Sequence, residues 1–127
     1  MNSLPDNLKV GVESIDSRHT EFWDLYLALK ASGKDDFIDL FESIIEHTKT
    51  HFAEEEADMG TIVYASRREH EQEHEKALEE MNYFLEKAKG NKIMFARAYV
   101  NERLESWFRQ HLLNMDSDLA RAMNLNS

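Results

Sequence analysis

Residues 37–60 read FIDLFESIIEHTKTHFAEEEADMG, with apolar residues three or four positions apart. This spacing is the repeat of one face of an α-helix, and the acidic pair Asp35-Asp36 just before it suits a helix N-terminus. His51 and Glu55 fall on the same face as the apolar residues. The face comprises Phe37, Leu40, Phe41, Ile44, Thr48, His51, Glu55 and Met59. The stretch therefore predicts a helix that buries an imidazole and a carboxylate among apolar side chains.

Glycines divide the whole chain into segments of helix length. Gly33, Gly60 and Gly90 fall where helices should stop, and the one proline, Pro5, precedes all of them. No stretch alternates with a period of two, so we predict no β-sheet. Short connections make consecutive helices antiparallel. We therefore expect an all-α protein: an antiparallel up-down-up-down four-helix bundle in one domain over residues 1–127, with an irregular N-terminal arm over residues 1–15.

Local signals place the ends of the other helices. The first helix should begin near Asp16 or Ser17, either of which can cap it, and should run toward Ala31. The third opens with Ser66-Arg67-Arg68-Glu69, a capping-box sequence in which the serine and glutamate side chains satisfy backbone N–H groups. The fourth helix follows Asn91.

Composition excludes several classes of function. The formal charge is −10, with 25 acidic and 15 basic residues, so the chain would repel a nucleic-acid backbone. There is no cysteine, so a metal could be bound only by histidine, aspartate or glutamate. No run of about 18 apolar residues and no basic start with an apolar stretch behind it is present, so we expect no membrane insertion. We expect a cytoplasmic protein, and its acidic surface fits a monomer.

Seven residues have spacings that let them meet inside such a bundle. Two pairs lie four positions apart, on the second and third helices, and the others come from the first and fourth. All should lie within roughly 5–15 Å of one bundle end. Burying these groups uncompensated would cost several kcal/mol unless cations neutralise them, and the number of ligands suits two ions. The seven are His19, His51, Glu55, His70, His74, His111 and Asp116.

The five-residue spacing from His111 to Asp116 conflicts with a regular α-helix. Five residues rotate the side-chain direction by about 140°, so the two side chains could not both point at one site. We therefore predict a π-type widening, a bend, or an oblique approach of Asp116.

Three polar residues close to the predicted ligands in the sequence are not expected to bind the metal. His47 lies four residues from His51 but one turn farther from the shared end, so we expect it either at the edge of the core or behind the ligands. Glu54 and Glu56 are assigned to solvent, because only Glu55 shares the face of His51.

The order of these residues resembles the hemerythrin family, most closely its single-domain bacterial form. The pattern spans nearly the whole chain, and it comprises His19, His51-Phe-Ala-Glu-Glu55, His70-x3-His74 and Trp107-x3-His111-x4-Asp116. The resemblance implies two iron ions, one of which is held by three histidines, His70, His74 and His111. It implies that His19 and His51 hold the other. Glu55 and Asp116 would bridge the two ions together with an oxo or hydroxo group.

The same resemblance implies a function, which is reversible binding of dioxygen for storage, transport or delivery rather than catalysis. The unequal number of histidines leaves one iron with an open position for the gas. An apolar lining should protect that position from water. We expect Phe22, Trp23 and Phe108 to form this oxygen pocket.

Three alternatives use the same residues. One is a di-iron redox enzyme on the same site that reduces peroxide or nitric oxide. A second is a zinc hydrolase, because His70-Glu71-Gln72-Glu73-His74 fits His-Glu-x-x-His with Glu71 as general base. That hydrolase would leave His19, His51 and His111 unexplained. A ferritin-like oxidase needs Glu-x-x-His on two helices, and only one such pair, Glu71 with His74, is present.

Overall fold

The structure is a computed structural model that describes residues 4–125. It contains a short 3-10 helix and four long helical segments, and no β-strand occurs within residues 4–125. The 3-10 helix is Asp6–Leu8, and the long segments are α1 (Glu13–Ala31), α2 (Phe37–Met59), α3 (Arg67–Lys89) and α4, which is continuous over 93–125. The predicted all-α class is confirmed, and the four helices fit a four-helix bundle. Residues 1–3 of the predicted arm, and residues 126–127, lie outside the described part of the chain.

Helix α1 begins at Glu13, so the prediction that Asp16 or Ser17 caps it is wrong. The Asp16 carboxylate instead accepts hydrogen bonds from the backbone N–H groups of Val10, at 2.8 Å, and Gly11, at 3.1 Å. Gly11 has φ +85°, a conformation that glycine adopts without strain. The chain therefore turns at Gly11, and Asp16 fastens that turn to the first turn of the helix.

Helix α3 begins at Arg67 as predicted, but without the capping box. In the described chain the side chain of Ser66 makes no capping hydrogen bond. Its backbone carbonyl instead accepts from the N–H of His70 at 3.0 Å. This bond places His70 in the first turn of α3, at the end of the bundle where α2 stops.

Helix α4 contains two π-helical turns, Val100–Leu104 and Leu112–Asp116. The second lies between His111 and Asp116, which confirms the predicted widening. A π turn takes up one residue more than an α turn, so a residue five positions on returns to the same face. The first π turn was not anticipated from the sequence.

Apolar clusters lie on both sides of the buried polar residues. The main core includes Phe22 of α1 and Leu112 of α4. A smaller cluster comprises Ile15, Met59, Leu119 and Ala120. Along α1 and α4 the polar residues His19 and Asp116 fall between members of the two clusters, so apolar packing encloses them above and below.

The helices of residues 4–125 include none that is long and apolar enough to cross a membrane.

Candidate metal centre

The seven predicted ligands come from all four helices, and every one of them is buried. None is more than 7% exposed. Carboxylates and imidazoles are seldom buried so completely unless they are paired or bound to a cation. The residues are His19 on α1, His51 and Glu55 on α2, His70 and His74 on α3, and His111 and Asp116 on α4.

Five of the seven form one compact group, in which the ligand atoms lie within 4.8 Å of one another. Nε2 of His70 lies 3.0 Å from Oδ1 of Asp116 and 3.4 Å from Oε1 of Glu55. Nε2 of His74 lies 3.2 Å from the same Glu55 oxygen, and Nε2 of His111 lies 3.3 Å from Oδ1 of Asp116. Adjacent ligands of an octahedral ion with bonds of about 2.1 Å are about 3 Å apart. The spacing therefore fits the ligand sphere of one ion.

The second oxygens of the two carboxylates face a different histidine. Oδ2 of Asp116 lies 2.8 Å from Nε2 of His19, and Oε2 of Glu55 lies 3.9 Å from the same atom. Each carboxylate thus presents one oxygen to the three histidines of α3 and α4 and the other oxygen to α1. This is the disposition expected of carboxylates that bridge two cations.

His51 is the predicted ligand that lies beside this group of five, on the same cavity, but is not part of it. Its Nε2 lies 3.1 Å from Oε2 of Glu21, an exposed residue of α1. Burial lowers the pKa of the imidazole, although the Glu21 carboxylate opposes that shift. The ring nevertheless lines the same internal cavity as His19 and Glu55.

Unpartnered polar atoms show that the donor set fits a cation. Buried atoms of five predicted ligands, acceptor atoms among them, make no hydrogen bond of good geometry within the described residues, although several lie at ion-pair distance from one another. Each such atom would cost about 1–3 kcal/mol if nothing bound it. They are Nδ1 and Nε2 of His19, Oε1 of Glu55, Nε2 of His74, Nδ1 of His111 and Oδ1 of Asp116. Cations bound by the carboxylate oxygens and by Nε2 of His19 and His74 would satisfy those atoms at once.

Two residues behind the histidines orient their rings. The Tyr64 hydroxyl donates to the backbone carbonyl of Met115 at 3.4 Å, and its oxygen lies 3.0 Å from Nδ1 of His70. Nδ1 of His74 lies 2.9 Å from Oε2 of Glu56. A neutral imidazole that donates from Nδ1 has a free lone pair on Nε2, the atom that faces the cluster in both cases. Glu56, which was assigned to solvent, is 38% exposed, and its contact with His74 was not predicted.

The electrostatics of the cluster favour a proton on an imidazole until a cation replaces it. Burial alone would lower the pKa of His70, but the adjacent carboxylates of Asp116 and Glu55 outweigh burial and raise that pKa to about 9. Burial would raise the pKa of Asp116, but the imidazoles of His111, His19 and His70 hold it well below its usual range. The carboxylates are therefore anionic at neutral pH, whereas His70 carries a proton.

Because of this proton, cation affinity should depend on pH. A cation that binds Nε2 of His70 must displace the proton, so we expect affinity to rise about tenfold per pH unit between pH 7 and 9 and to level off above that. The stability of the metal-free chain should instead fall as the pH rises. The raised pKa of His70 contributes stability that is fully present below about pH 6.5 and is lost as the pH rises through 9. Co²⁺ titrations at several pH values would measure the first trend and urea unfolding the second. An affinity that stays constant over this range would contradict the displacement of a proton.

A small cavity adjoins the cluster and has a volume of about 20 Å³, enough for about one molecule of the size of water. Phe22 and Phe108, two of the residues assigned to the oxygen pocket, line this cavity with their rings stacked at 4.5 Å. Trp23 lies behind Phe108, with ring centroids 5.9 Å apart, and supports that wall.

Aromatic residues that were not predicted for the pocket also line it. Phe52 stacks on His74 with ring centroids 3.7 Å apart, and Trp107 stacks on His111 at 4.8 Å. Both rings fix the orientation of an imidazole. The spacing of Trp107 four residues before His111 is a signal that could have identified it.

The prediction for His47 is wrong, because this side chain is exposed rather than at the edge of the core. Its ring lies 6.1 Å from that of His51. His47 therefore belongs to the surface next to the centre.

Comparison with known proteins assigns the chain to a family. Residues 10–123 match the family described as "Hemerythrin HHE cation binding domain". The chain is also 31% identical over 109 residues to a bacteriohemerythrin of Ralstonia nicotianae, a match that covers 86% of this chain and 79% of that protein. No solved structure matches the chain. The chain therefore belongs to the hemerythrin family, which confirms the resemblance identified in the sequence.

Proposed function

We propose that this protein binds dioxygen reversibly at a non-haem di-iron centre. The observation that carries the proposal is the opposed orientation of the two carboxylates, since each presents one oxygen to His19 and the other to the histidines of α3 and α4. Membership of the hemerythrin family and likeness to a bacteriohemerythrin support the same conclusion.

The ligands divide unequally between the two positions. His70, His74 and His111 would hold one iron, and His19 and His51 would hold the other. Glu55 and Asp116 would bridge them. When bound, the iron pair would supply the electrons and the one open coordination position that reversible dioxygen binding requires.

The cavity residues would exclude water and protons from the open position. Phe22, Phe108 and Phe52 give it apolar walls. The hydroxyl of Thr48, which also lines the cavity, donates to the carbonyl of Ile44 at 2.6 Å, so its proton is directed away from the cavity. Such surroundings favour release of the gas unchanged, because protons and water would promote irreversible oxidation of the centre.

The zinc hydrolase alternative is disfavoured by the position of Glu71. Its carboxylate accepts a hydrogen bond from Nε of Arg67 at 3.0 Å, and the Glu71 side chain is 36% exposed. A general base must lie within hydrogen-bond reach of a metal-bound water or substrate. A residue held at the surface by Arg67 does not meet that condition.

Oxygen titration of the reduced, iron-loaded protein would test the proposed function. We expect about one dioxygen per chain to bind, with a colour change that reverses over repeated cycles of air and argon. The zinc-loaded protein is the control, since zinc supplies no electrons. Repeated turnover with peroxide or nitric oxide, without a reversible colour change, would favour the redox enzyme instead.

We also propose that the helices alternate in direction and that the chain forms one domain. Contacts between consecutive helices join residues near the start of one to residues near the end of the other, as the up-down-up-down arrangement requires. These contacts are Arg18 to Asp58 at 3.0 Å, Glu42 to Lys89 at 3.6 Å, and Phe84 to Phe95 at 5.3 Å between ring centroids.

Phe108→Ala is expected to shorten the period over which the air-equilibrated protein keeps its capacity for dioxygen. Phe108 is 4% exposed, stacks on Phe22 and contacts the ring of His19 at 5.7 Å, so its removal would admit water beside the open position. We expect the rate of loss to rise at least about tenfold, equivalent to about 1.4 kcal/mol in the barrier. Repeated absorption spectra in air would measure it.

Phe37→Ala is the matched control, because Phe37 is fully buried at the opposite end of α2. Both variants should lose about 3–5 kcal/mol of stability. Equal rates of loss in the two variants would show that Phe108 acts only through general packing.

A further inference from the structure

A second group of metal-ligating side chains lies at the surface beside the buried cluster. Ligand atoms of Glu21, His47 and His51 lie within 4.8 Å of one another. Glu21 and His47 are exposed, whereas His51 is buried. One carboxylate from α1 and two imidazoles from α2 thus converge on the same point.

This donor set is suited to a divalent cation. Two histidines and one carboxylate form a set that binds ferrous iron and leaves other positions open to water. His47 and His51 are one turn apart on α2, and Oε2 of Glu21 reaches Nε2 of His51 at 3.1 Å. The ion pair between Glu21 and His51 uses two of these groups, whereas a cation would use all three.

His51 connects this outer group to the buried cluster. His51 lines the cavity beside the cluster together with His19, and it also lines the surface pocket together with Glu21 and His47. Its imidazole therefore lies between the surface pocket and the cavity beside the cluster. A change in the direction of this one ring would carry a bound ion from the outer side toward the inner side.

The surface around the outer group attracts cations. Glu46 and Glu54 line the same pocket as Glu21, and the whole chain carries a formal charge of −10. Lys49 lies 3.3 Å from Glu46 and Arg18 lies 3.4 Å from Glu54, so these basic groups face the two flanking carboxylates. Three carboxylates against these two basic groups leave one net negative charge at the pocket, and this charge, together with that of the whole chain, raises the local concentration of divalent cations.

We propose that Glu21, His47 and His51 form an outer site that captures a divalent first-row cation and passes it to the buried cluster. Transfer occurs when the cation, still bound to His51, exchanges Glu21 and His47 for His19 and the carboxylates of the buried cluster. The proposal rests on the proposed function only in taking the buried cluster to be a metal centre. It does not depend on what that centre binds afterwards.

The rate of metal uptake tests this outer site. Metal-free, full-length protein is mixed with micromolar Co²⁺, and uptake is followed by visible absorption, while elemental analysis gives the final content. We expect His47→Asn and Glu21→Gln each to slow uptake at least about tenfold. The final cobalt content per chain should equal that of the unaltered protein, because neither residue holds metal in the filled centre.

Glu79→Gln is the matched control. It removes one exposed carboxylate from α3, the same change in charge as Glu21→Gln, and it should leave the rate unchanged. Unaltered rates in both the His47 and Glu21 variants would overturn the proposal. A reduced final content would also overturn it, since these residues would then be permanent ligands, and so would a failure of the unaltered protein to take up Co²⁺.

The two proposals fail in different ways. If the chain takes up metal but does not bind dioxygen reversibly once it is loaded with iron, the proposed function is wrong, and the uptake rates still decide whether the outer site exists.

Discussion

Asp116→Asn is expected to lower the iron content of the reconstituted protein from about two ions per chain to about one or fewer. Oδ1 of Asp116 lies 3.0 Å from Nε2 of His70 and 3.3 Å from Nε2 of His111, and Oδ2 lies 2.8 Å from Nε2 of His19. The amide has the same shape but one neutral oxygen, so it cannot bridge two cations or balance their charge. Elemental analysis after reconstitution would measure the loss.

Asp118→Asn provides the matched control for this substitution. It makes the same change two residues later, on a side chain that is 42% exposed and that lies 3.4 Å from Arg121. This variant should retain the iron content of the unaltered protein. If both variants kept two ions, Asp116 would not be a bridging ligand.

Removing the metal with a chelator is expected to lower the melting temperature by at least about 10 °C. A binder of the native state stabilises it by mass action, and for a chain of this size 1 kcal/mol corresponds to about 3–5 °C. Without a cation several buried carboxylate and imidazole atoms make no hydrogen bond of good geometry, at a combined cost of at least about 3 kcal/mol. Thermal unfolding followed by circular dichroism would measure the shift.

Restoring iron should recover the original melting temperature, and Asp116→Asn should show a smaller shift because it binds less metal. Identical melting curves with and without chelator would indicate that the buried cluster is stable on its own. The cluster would then not be a metal centre that contributes to folding.

The helices and the buried group could be predicted because both depend on local spacing. Residues four positions apart share a helix face, so the pairs His51 with Glu55 and His70 with His74 had to point in common directions. His111 and Asp116 are five residues apart, so they can face one site only if the helix between them is distorted in one of a few ways. The π turn is one of the distortions that were predicted. In contrast, nothing in the sequence of 100–104 indicates a π turn.

The groups around the ligands could not be predicted in the same way. Tyr64 lies in the loop between α2 and α3, and its contact with His70 depends on how that loop folds. Glu56 was assigned to solvent from its position on α2, but it reaches sideways to His74 on α3. The direction of the His51 ring depends on Glu21, which lies 30 residues away along the chain. Each of these contacts between elements is set by tertiary packing rather than by helical periodicity.

The π turn at Leu112–Asp116 has a consequence for how this helix tolerates changes in length. A deletion of the exposed Leu113 would let the turn relax to a regular α-helix, and Asp116 would then follow His111 by four residues, only about 40° away around the axis. The carboxylate would still face inward. What would change is the backbone at Met115, whose carbonyl accepts from Tyr64 and so anchors the ring of His70. We therefore expect the loss of this residue to leave the direction of the aspartate unchanged and to disturb, through Met115 and Tyr64, the alignment of His70 on a different helix.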